Sequence, residues 1–319
     1  MPHLLVVRLG AMGDIVHTLP AVATLRHNYP GARITWLVEP RWAALLEENP
    51  HIDRVAWLRR HSAAGLLQSW RELRSEPYDL AADFQGLIKS ALAAAAARPG
   101  RIFGFDAALL RERAATVFYS RQVMSGAAHV VERNIDLALA ASGGAGEAVR
   151  EFHLPAGKAE GELPEGDFVL ASPLAGWRSK QWPLEYYAAL ASRLGRELGV
   201  PLVLNGPPGA EMPAAQNIRP HFSGIAGLIH ATRRATAVVG VDSGPLHLAA
   251  ALAKPGVAIF GPTDPERNGP YGGSPQVLRD EGAITSYKRR PEIDPSMRRI
   301  VPDDVFEALR AALERRPER

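Results

Sequence analysis

The feature of this sequence that most constrains its fold is a repeated alternation of short apolar runs and longer helical patterns. Each run ends in a polar or glycine-containing turn, which is typical of parallel strands joined by helices. In the first half, strands are predicted at Leu4–Val7, Ile34–Val38, Val55–Leu58, Leu80–Phe84 and Arg101–Phe105, and helices at Ile15–Asn28, Leu87–Ala97 and Val130–Ala141. We therefore predict an α/β fold whose parallel sheets are covered by helices on both faces.

The second half repeats this pattern after Pro155–Asp167, a segment rich in glycine, proline and glutamate that we interpret as an interdomain linker. Strands are predicted at Phe168–Ala171, Leu202–Leu204, Ala237–Val241 and Val257–Phe260, and helices at Pro183–Leu198, Pro245–Ala253 and from Asp303, as the N-cap, to about Glu314. The chain of 319 residues is long enough for two domains. We predict Rossmann-like domains at residues 1–155 and 156–319 that face a central cleft, with the terminal helix a candidate to pack back on the first.

Composition excludes several classes of protein. The chain has no cysteine, so disulfides, thiolate metal sites and cysteine nucleophiles are excluded. A formal charge of +3 and a pI near 9.3 suit anionic small molecules or an acidic membrane surface, but not a nucleic-acid partner. No Asp-x-Asp motif or metal-site spacing occurs, so no metal is predicted. With no spanning segment and no dedicated amphipathic anchor, we expect a cytoplasmic protein with at most peripheral membrane contact.

The turn after the first strand, Arg8–Ile15, is one candidate site, because ligands of doubly wound sheets bind at the carboxyl ends of strands. Its glycines, Gly10 and Gly13, permit a tight turn and close approach of the backbone to a ligand. They do not form a dinucleotide fingerprint, which needs a third glycine, so a nicotinamide dehydrogenase is not predicted. Asp14 has two open interpretations, a helix N-cap or a catalytic base.

Two further turns carry cations. In Asp83–Ser90, Gln85 and Lys89 either present polar groups to a ligand or are simply solvated. In Trp177–Pro183, Lys180 and a second cation lie between two tryptophans, which favours a diphosphate ligand over a plain surface loop. We therefore predict phosphate binding at the second of these turns.

A fourth turn, Val239–His247, joins a buried strand to a helix whose first turn contains a proline. The N–H groups of Ser243 and Gly244 and the Ser243 hydroxyl are expected to hold phosphate oxygens at the positive end of the helix dipole. Asp242 would hold the turn or a neighbouring ligand group, and His247 lies one helical turn deeper. A purely structural turn remains the alternative.

Together these turns resemble glycosyltransferase family 9, the bacterial heptosyltransferases, and the resemblance spans nearly the whole chain. The residues that carry it are Gly13–Asp14, His17–Ala21, Asp83–Ser90, Lys180–Pro183, Asp242–Gly244 with His247, and Gly261–Pro265. The first-half segments are more similar to type I members of the family than to type II. At Ala175–Gly176, type I members commonly carry threonines, so the phosphate contacts of those hydroxyls are missing here or made by the backbone.

The resemblance implies a GT-B fold and an inverting, metal-independent transferase without a cofactor. The second domain would bind ADP-heptose and the first a lipid-anchored acceptor, the Kdo sugar of Kdo-lipid A in the lipopolysaccharide inner core, at the inner face of the inner membrane. Asp14 would act as the general base and Lys180 would neutralise the departing ADP. The other implied residues are Glu211, Asp242, Ser243, Gly244, Thr263 and His247 for the donor, and Arg8, Gly13, Arg59, Arg60, Gln85 and Lys89 for the acceptor.

Two alternatives remain open. One is a family 9 transferase that uses a different nucleotide sugar or acceptor, and the other is a non-catalytic protein that binds sugar nucleotides. The non-catalytic alternative predicts that Asp14 is dispensable, whereas the enzyme predicts that Asp14→Ala abolishes turnover and leaves ADP binding largely intact.

Overall fold

Each half of the chain forms its own six-stranded sheet, and every strand pair in both sheets is parallel. The computed structural model describes residues 1–314, and they divide into one unit at Met1–Pro155 and a second that starts at Ala156. The central strands are buried along their whole length, as expected of parallel strands covered on both faces. The prediction of an α/β fold with two Rossmann-like domains is confirmed.

The first unit has the sheet order β3-β2-β1-β4-β5-β6. Its strands are β1 His3–Val7, β2 Arg33–Val38, β3 Arg54–Trp57, β4 Leu80–Asp83, β5 Arg101–Phe105 and β6 Arg121–Val123. Its helices are α1 Met12–Val16, α2 Leu19–Asn28, α3 Ala63–Leu73, α4 Ile88–Ala96 and α5 Val130–Ala141, with short 3-10 helices at Pro40–Leu45, Ala107–Leu109 and Arg113–Phe118.

The second unit repeats the same strand order, as β12-β11-β10-β7-β8-β9. Its strands are β7 Val169–Ser172, β8 Leu202–Gly206, β9 Ile218–Phe222, β10 Ala237–Val241, β11 Gly256–Phe260 and β12 Gln276–Arg279. Its helices are α6 Leu184–Leu198, α7 Ile225–Arg234, α8 Gly244–Ala251, α9 Pro265–Asn268, α10 Pro295–Arg299 and α11 Pro302–Glu314, with a 3-10 turn at Arg178–Lys180. Helix α11 packs on α6, β10 and β11 of its own unit. Within the described part of the chain, no helix is long and apolar enough to span a membrane.

Each sheet has one point where the strand order reverses, between β1 and β4 in the first unit and between β7 and β10 in the second. Ligands of open α/β sheets bind outside the carboxyl ends of the strands at such a switch point. All four polar turns singled out in the sequence follow these four strands. The fold therefore brings the turns together in pairs, one pair in each unit.

The first predicted helix, Ile15–Asn28, is in fact two helices, α1 and α2, separated by His17–Thr18. Pro20 explains the break, because a proline is accommodated in the first turn of a helix and disrupts its interior. At the other end of the chain, Asp303 is not the N-cap of the terminal helix, because α11 already includes Pro302.

The segment predicted as a linker has no helix or strand in it, yet it is held against the second unit. Lys158 N donates to Ala226 O at 3.0 Å. The Glu160 carboxylate accepts from Gly224 N at 2.6 Å, and its carbonyl oxygen lies 2.6 Å from His221 Nε2. The segment is therefore an integral part of the second unit.

Candidate active site

Asp14 lies in the first turn of α1, at the carboxyl end of β1, and its side chain is 45% exposed. The N-cap prediction is wrong, because the N-cap residue is Ala11 and Asp14 is the third residue of the helix. One carboxylate oxygen, Oδ2, accepts from Ala11 N at 3.1 Å, and the other, Oδ1, pairs with Arg8 Nη2 at 2.8 Å. Each oxygen keeps a lone pair, so this exposed carboxylate can still accept a proton from a ligand.

Arg8 is the buried partner that fixes Asp14, with only 7% of its side chain exposed. Its Nη1 donates to the carbonyl oxygen of Phe84, the residue after β4. Its own carbonyl oxygen accepts from Trp36 Nε1 at 3.1 Å. Arg8 is thus anchored across the switch point and directs its charge at Asp14.

The turn after β4 is built on Asp83, a fully buried carboxylate. It accepts from Gln85 N at 2.9 Å and from the Tyr119 hydroxyl at 2.7 Å. Burial raises the pKa of Asp83 in spite of these hydrogen bonds. Gln85 Oε1 accepts in turn from the backbone N–H groups of Leu9 at 3.0 Å and Gly10 at 3.3 Å. Gln85 therefore ties together the two turns of the switch point.

Removing the Tyr119 hydroxyl tests how much the buried Asp83 network stabilises the first unit. We expect Tyr119→Phe to lower the free energy of unfolding by about 1–3 kcal/mol, because a buried carboxylate loses a donor that it cannot replace. The control is Tyr187→Phe, which removes a buried hydroxyl that has no hydrogen-bond partner in the described chain and should cost less than about 1 kcal/mol. Urea unfolding followed by fluorescence measures both. Equal losses would show that the network adds nothing.

The sequence analysis missed a buried acid at the end of β2, where Glu39 gathers three cations. Glu39 carboxylate oxygens lie 2.7 Å from Arg60 Nε, 3.1 Å from Arg41 Nη2 and 3.9 Å from Lys89 Nζ. Burial alone would raise the pKa of Glu39, but these cations outweigh it and the pKa is lowered. The cations themselves are exposed, whereas only 5% of the Glu39 side chain is. These four residues, the Glu39 cluster, form a positive surface beside the switch point.

The other residues predicted for the acceptor have different surroundings. Arg59 pairs with Glu72 of α3 at 3.0 Å, and its guanidinium carbon lies 4.9 Å from the ring centroid of Trp57. It is therefore engaged at the β3–α3 surface, outside the Glu39 cluster. Gly13 is buried within α1, and Gly10 allows the Trp42 ring to pack directly on the backbone, where a Cβ atom would lie 2.6 Å from its Nε1.

In the second unit, the ion-paired carboxylate of Asp242 lies at the switch point. Asp242, which follows β10, is 5% exposed and lies 2.5 Å from Lys180 Nζ and 3.3 Å from His247 Nε2. Burial alone would raise the pKa of Asp242, but the hydrogen bond from His247 and the charge of Lys180 hold it well below its ordinary value. Asp242 therefore stays ionised and fixes the position of Lys180.

The surroundings of Lys180 include a further cation, Arg289, that the sequence analysis did not identify. Lys180 Nζ lies 4.4 Å from the ring centroid of Trp177, and the guanidinium carbon of Arg289 lies 5.2 Å from the same centroid. Arg289 comes from a distant part of the chain, so no local motif could have paired it with this turn. Lys180 and Arg289 therefore both lie against the Trp177 ring in the turn after β7.

Two buried hydroxyl oxygens of this unit, Ser243 Oγ and Thr263 Oγ1, have no hydrogen-bond partner within residues 1–314. Ser243 precedes α8 but makes no capping bond with its side chain. The N–H groups of Ser243 and Gly244 lie before the helix ladder, which cannot satisfy them. Thr263 follows β11, the neighbour of β10. Both hydroxyls are therefore able to donate to a ligand that binds at the ends of β10 and β11.

A cavity of about 240 Å³ lies next to this switch point. It is lined by residues that include Ser172, Asn205 and Ser223 at the ends of β7, β8 and β9, and Pro245 in the first turn of α8. Glu211 lies in the exposed loop that follows the cavity wall and joins β8 to β9. Among the residues that the structure describes, no group of three or more histidine, aspartate or glutamate side chains is arranged to hold a metal ion.

The chain is similar over most of its length to known glycosyltransferases. The sequence model of glycosyltransferase family 9 (heptosyltransferase) matches residues 66–294. Lipopolysaccharide heptosyltransferase 1 of Escherichia coli K12 is 30% identical over 299 residues, which cover 87% of this chain and 93% of that protein. The protein of the same name from Pseudomonas aeruginosa PAO1 is 32% identical over 293 residues, which cover 85% and 82%.

A solved structure agrees with these sequence matches. E. coli heptosyltransferase WaaC with ADP-2-deoxy-2-fluoro heptose has a TM-score of 0.74 and 25% identity, and the alignment covers 96% of this chain and 98% of that one. Fold and similarity together define a GT-B glycosyltransferase. The chain belongs to glycosyltransferase family 9, and the resemblance found in the sequence is confirmed.

Proposed function

We propose that this protein transfers L-glycero-D-manno-heptose from ADP-heptose to the Kdo of the lipopolysaccharide inner core, with inversion at the anomeric carbon. The observation that carries the proposal is the half-exposed Asp14 carboxylate, held by Arg8 and Ala11 at a switch point with a lone pair left on each oxygen. The relatives that share most of the chain are heptosyltransferases of lipopolysaccharide, which supports the donor and the acceptor class.

The chemistry at Asp14 is a single displacement. The acceptor hydroxyl attacks the anomeric carbon, the bond from that carbon to the ADP oxygen breaks, and ADP leaves with the electron pair. Asp14 takes the hydroxyl proton as the new bond forms, which requires hydrogen-bond contact with that hydroxyl. Attack from the side opposite the leaving group inverts the configuration.

On the donor side, Lys180 neutralises the negative charge that builds on the departing diphosphate. Asp242 and His247 keep the lysine in place. In metal-dependent transferases a divalent cation neutralises the diphosphate, and here Lys180 does so. Ser243, Gly244 and Thr263 offer donors for the phosphate oxygens from the end of β10 and the end of β11.

In this proposal the nucleoside end of the donor binds in the neighbouring cavity, whose volume is about 240 Å³. Glu211, in the loop that follows, holds the ribose hydroxyls in this proposal. No hydroxyl side chain occurs at Ala175–Gly176, so phosphate contacts there come from the backbone.

The acidic groups of the acceptor bind to the Glu39 cluster. Arg41, Arg60 and Lys89 are exposed, and Glu39 keeps them together without itself reaching the surface. Arg8 and Gln85 contribute by fixing Asp14 and the turn beside it.

Glu39→Gln tests this assignment. We expect KM for the acceptor to rise about tenfold with kcat changed less than about twofold, because the cations lose the charge that gathers them while the base is untouched. Glu48→Gln, at an exposed position of the same unit, is the matched control. Steady-state kinetics at saturating donor measure both constants. A fall in kcat at unchanged KM would contradict a role in acceptor binding.

The function itself is tested by incubating the purified protein with ADP-L-glycero-D-manno-heptose and Kdo-lipid A in EDTA. We expect a product one heptose heavier, with inverted linkage. Activity that EDTA abolishes and a divalent ion restores would disprove metal independence. If no product formed although ADP still bound, the proposed donor or acceptor would be wrong. The family assignment would stand, and other ADP-sugars and acceptors would be tested.

A further inference from the structure

Helix α3 exposes three of its four large apolar side chains. Leu66 and Leu67 are 47% and 45% exposed, and Trp70 is 43% exposed. Its fully buried positions are only Ser69 and Leu73. A helix on the surface of a soluble domain normally faces its apolar stripe toward the core, so this orientation needs another explanation.

These side chains form one surface. Leu66 and Trp70 are four residues apart and Leu67 and Trp70 three, which places all three on one side of the helix. Trp57, 42% exposed at the end of β3, lies on a different side of α3, because Arg59 stacks on its ring and pairs with Glu72, which is two residues from Trp70 and faces away from it. Leu66, Leu67 and Trp70 are called the α3 apolar surface below.

The segment of the chain that carries this surface is positively charged. Residues 57–74 contain four arginines and one glutamate, a formal charge of +3 that equals the formal charge of the whole chain. The guanidinium carbon of Arg74 lies 4.7 Å from the ring centroid of Trp70 at the margin of the apolar side chains. An apolar centre that contains a tryptophan and has arginines in the same segment is typical of surfaces that lie in the interface of an anionic bilayer.

We propose that the α3 apolar surface docks this protein on an anionic phospholipid bilayer. The apolar side chains enter the interface, and the arginines contact the lipid phosphates, each attracted by the negative surface potential. The inference rests on the proposed function in one respect, since a lipid-anchored acceptor lies in such a bilayer. Arg60 of the Glu39 cluster belongs to the loop that leads into α3, so the acceptor cations and the docking surface are carried by neighbouring segments of the chain.

Vesicle co-sedimentation tests the docking without any acceptor. We expect the full-length protein to sediment with vesicles of phosphatidylglycerol and phosphatidylethanolamine, and at least about tenfold less with phosphatidylcholine alone. Raising the salt from about 0.1 M to about 1 M shortens the screening length from about 10 Å to about 3 Å and should weaken binding. Equal binding to both vesicles, or to neither, would overturn the proposal.

Substitution of the apolar side chains separates docking from general stickiness. The triple variant Leu66→Ser, Leu67→Ser, Trp70→Ser should lose at least about tenfold in partitioning, because less apolar area enters the interface. The control Val117→Ser with Met124→Ser removes side chains that are 83% and 59% exposed in the same unit and should change partitioning by less than about twofold. Thermal unfolding checks that both variants are folded. Equal losses in the two would refute the proposal.

A labelled protein gives a result that does not depend on the triple variant. Because the chain has no cysteine, Leu67→Cys provides a unique site for an environment-sensitive dye, and Val117→Cys is the control. We expect dye emission to shift to the blue on anionic vesicles at position 67 and to stay unchanged at 117. No shift at position 67 would show that lipid is not the partner. The same would follow if the wild type formed a dimer that the triple variant could not form, and if neither protein bound vesicles. Heptose transfer to a delipidated acceptor reports separately on the proposed function.

Discussion

Asp14→Asn is expected to lower kcat about 10²–10⁴-fold, the range that a positioned general base contributes. The amide keeps the shape of the carboxylate and can still accept from Ala11 N, but it cannot take a proton from the acceptor. ADP affinity should change less than about twofold, because ADP interacts with the second unit in the proposed mechanism. Single-turnover product formation and calorimetric ADP binding measure the two effects.

The control for Asp14→Asn is Asp106→Asn. Asp106 accepts from Ala108 N at the start of a 3-10 helix, and asparagine caps about as well as aspartate, so neither rate nor stability should change. Turnover of Asp14→Asn that matches the wild type would mean that another group accepts the proton, and it would favour the non-catalytic or alternative-base interpretations.

Lys180→Ala is expected to lower kcat/KM for the donor about 10²–10³-fold, the scale of removing one electrostatic donor from a developing negative charge. Lys288→Ala, an exposed lysine of the same unit, should leave it unchanged. The substitution also leaves Asp242 buried with His247 as its remaining partner, which destabilises the unit by up to about 3–5 kcal/mol. Loss of activity alone would therefore not show whether Lys180→Ala removes a catalytic contact or unfolds the unit.

A double variant separates them. Adding Asp242→Asn to Lys180→Ala removes the uncompensated charge, so we expect the thermal unfolding temperature to recover much of the loss while the rate does not. If rate and stability recovered together, Lys180 would have only a structural role. If Lys180→Ala left kcat/KM unchanged, the lysine would not contact the leaving group at all.

The strands that the sequence failed to predict share one physical property, partial exposure. Strands β6, β9 and β12 carry exposed residues in their burial patterns, so they lack the continuous apolar run that revealed the central strands. Helix α3 was missed for a related reason, because its apolar residues face outward and no core pattern depends on them. The interpretation of Asp14 as an N-cap was wrong because the sequence does not show where α1 begins. The helix starts two residues before Asp14.

The sequence by itself determined the central strands, the four polar turns that follow them and the family, because each is encoded within a few consecutive residues. Only the tertiary structure decided which charges meet. Lys180 and Asp242 are 62 residues apart, and Glu39 meets cations at 60 and 89 that no local spacing connects to it. Parallel strands bring such residues together because the carboxyl ends of the strands share one edge of the sheet. The helices that connect the strands differ in length, so the separation of two residues in the sequence does not reveal that they meet.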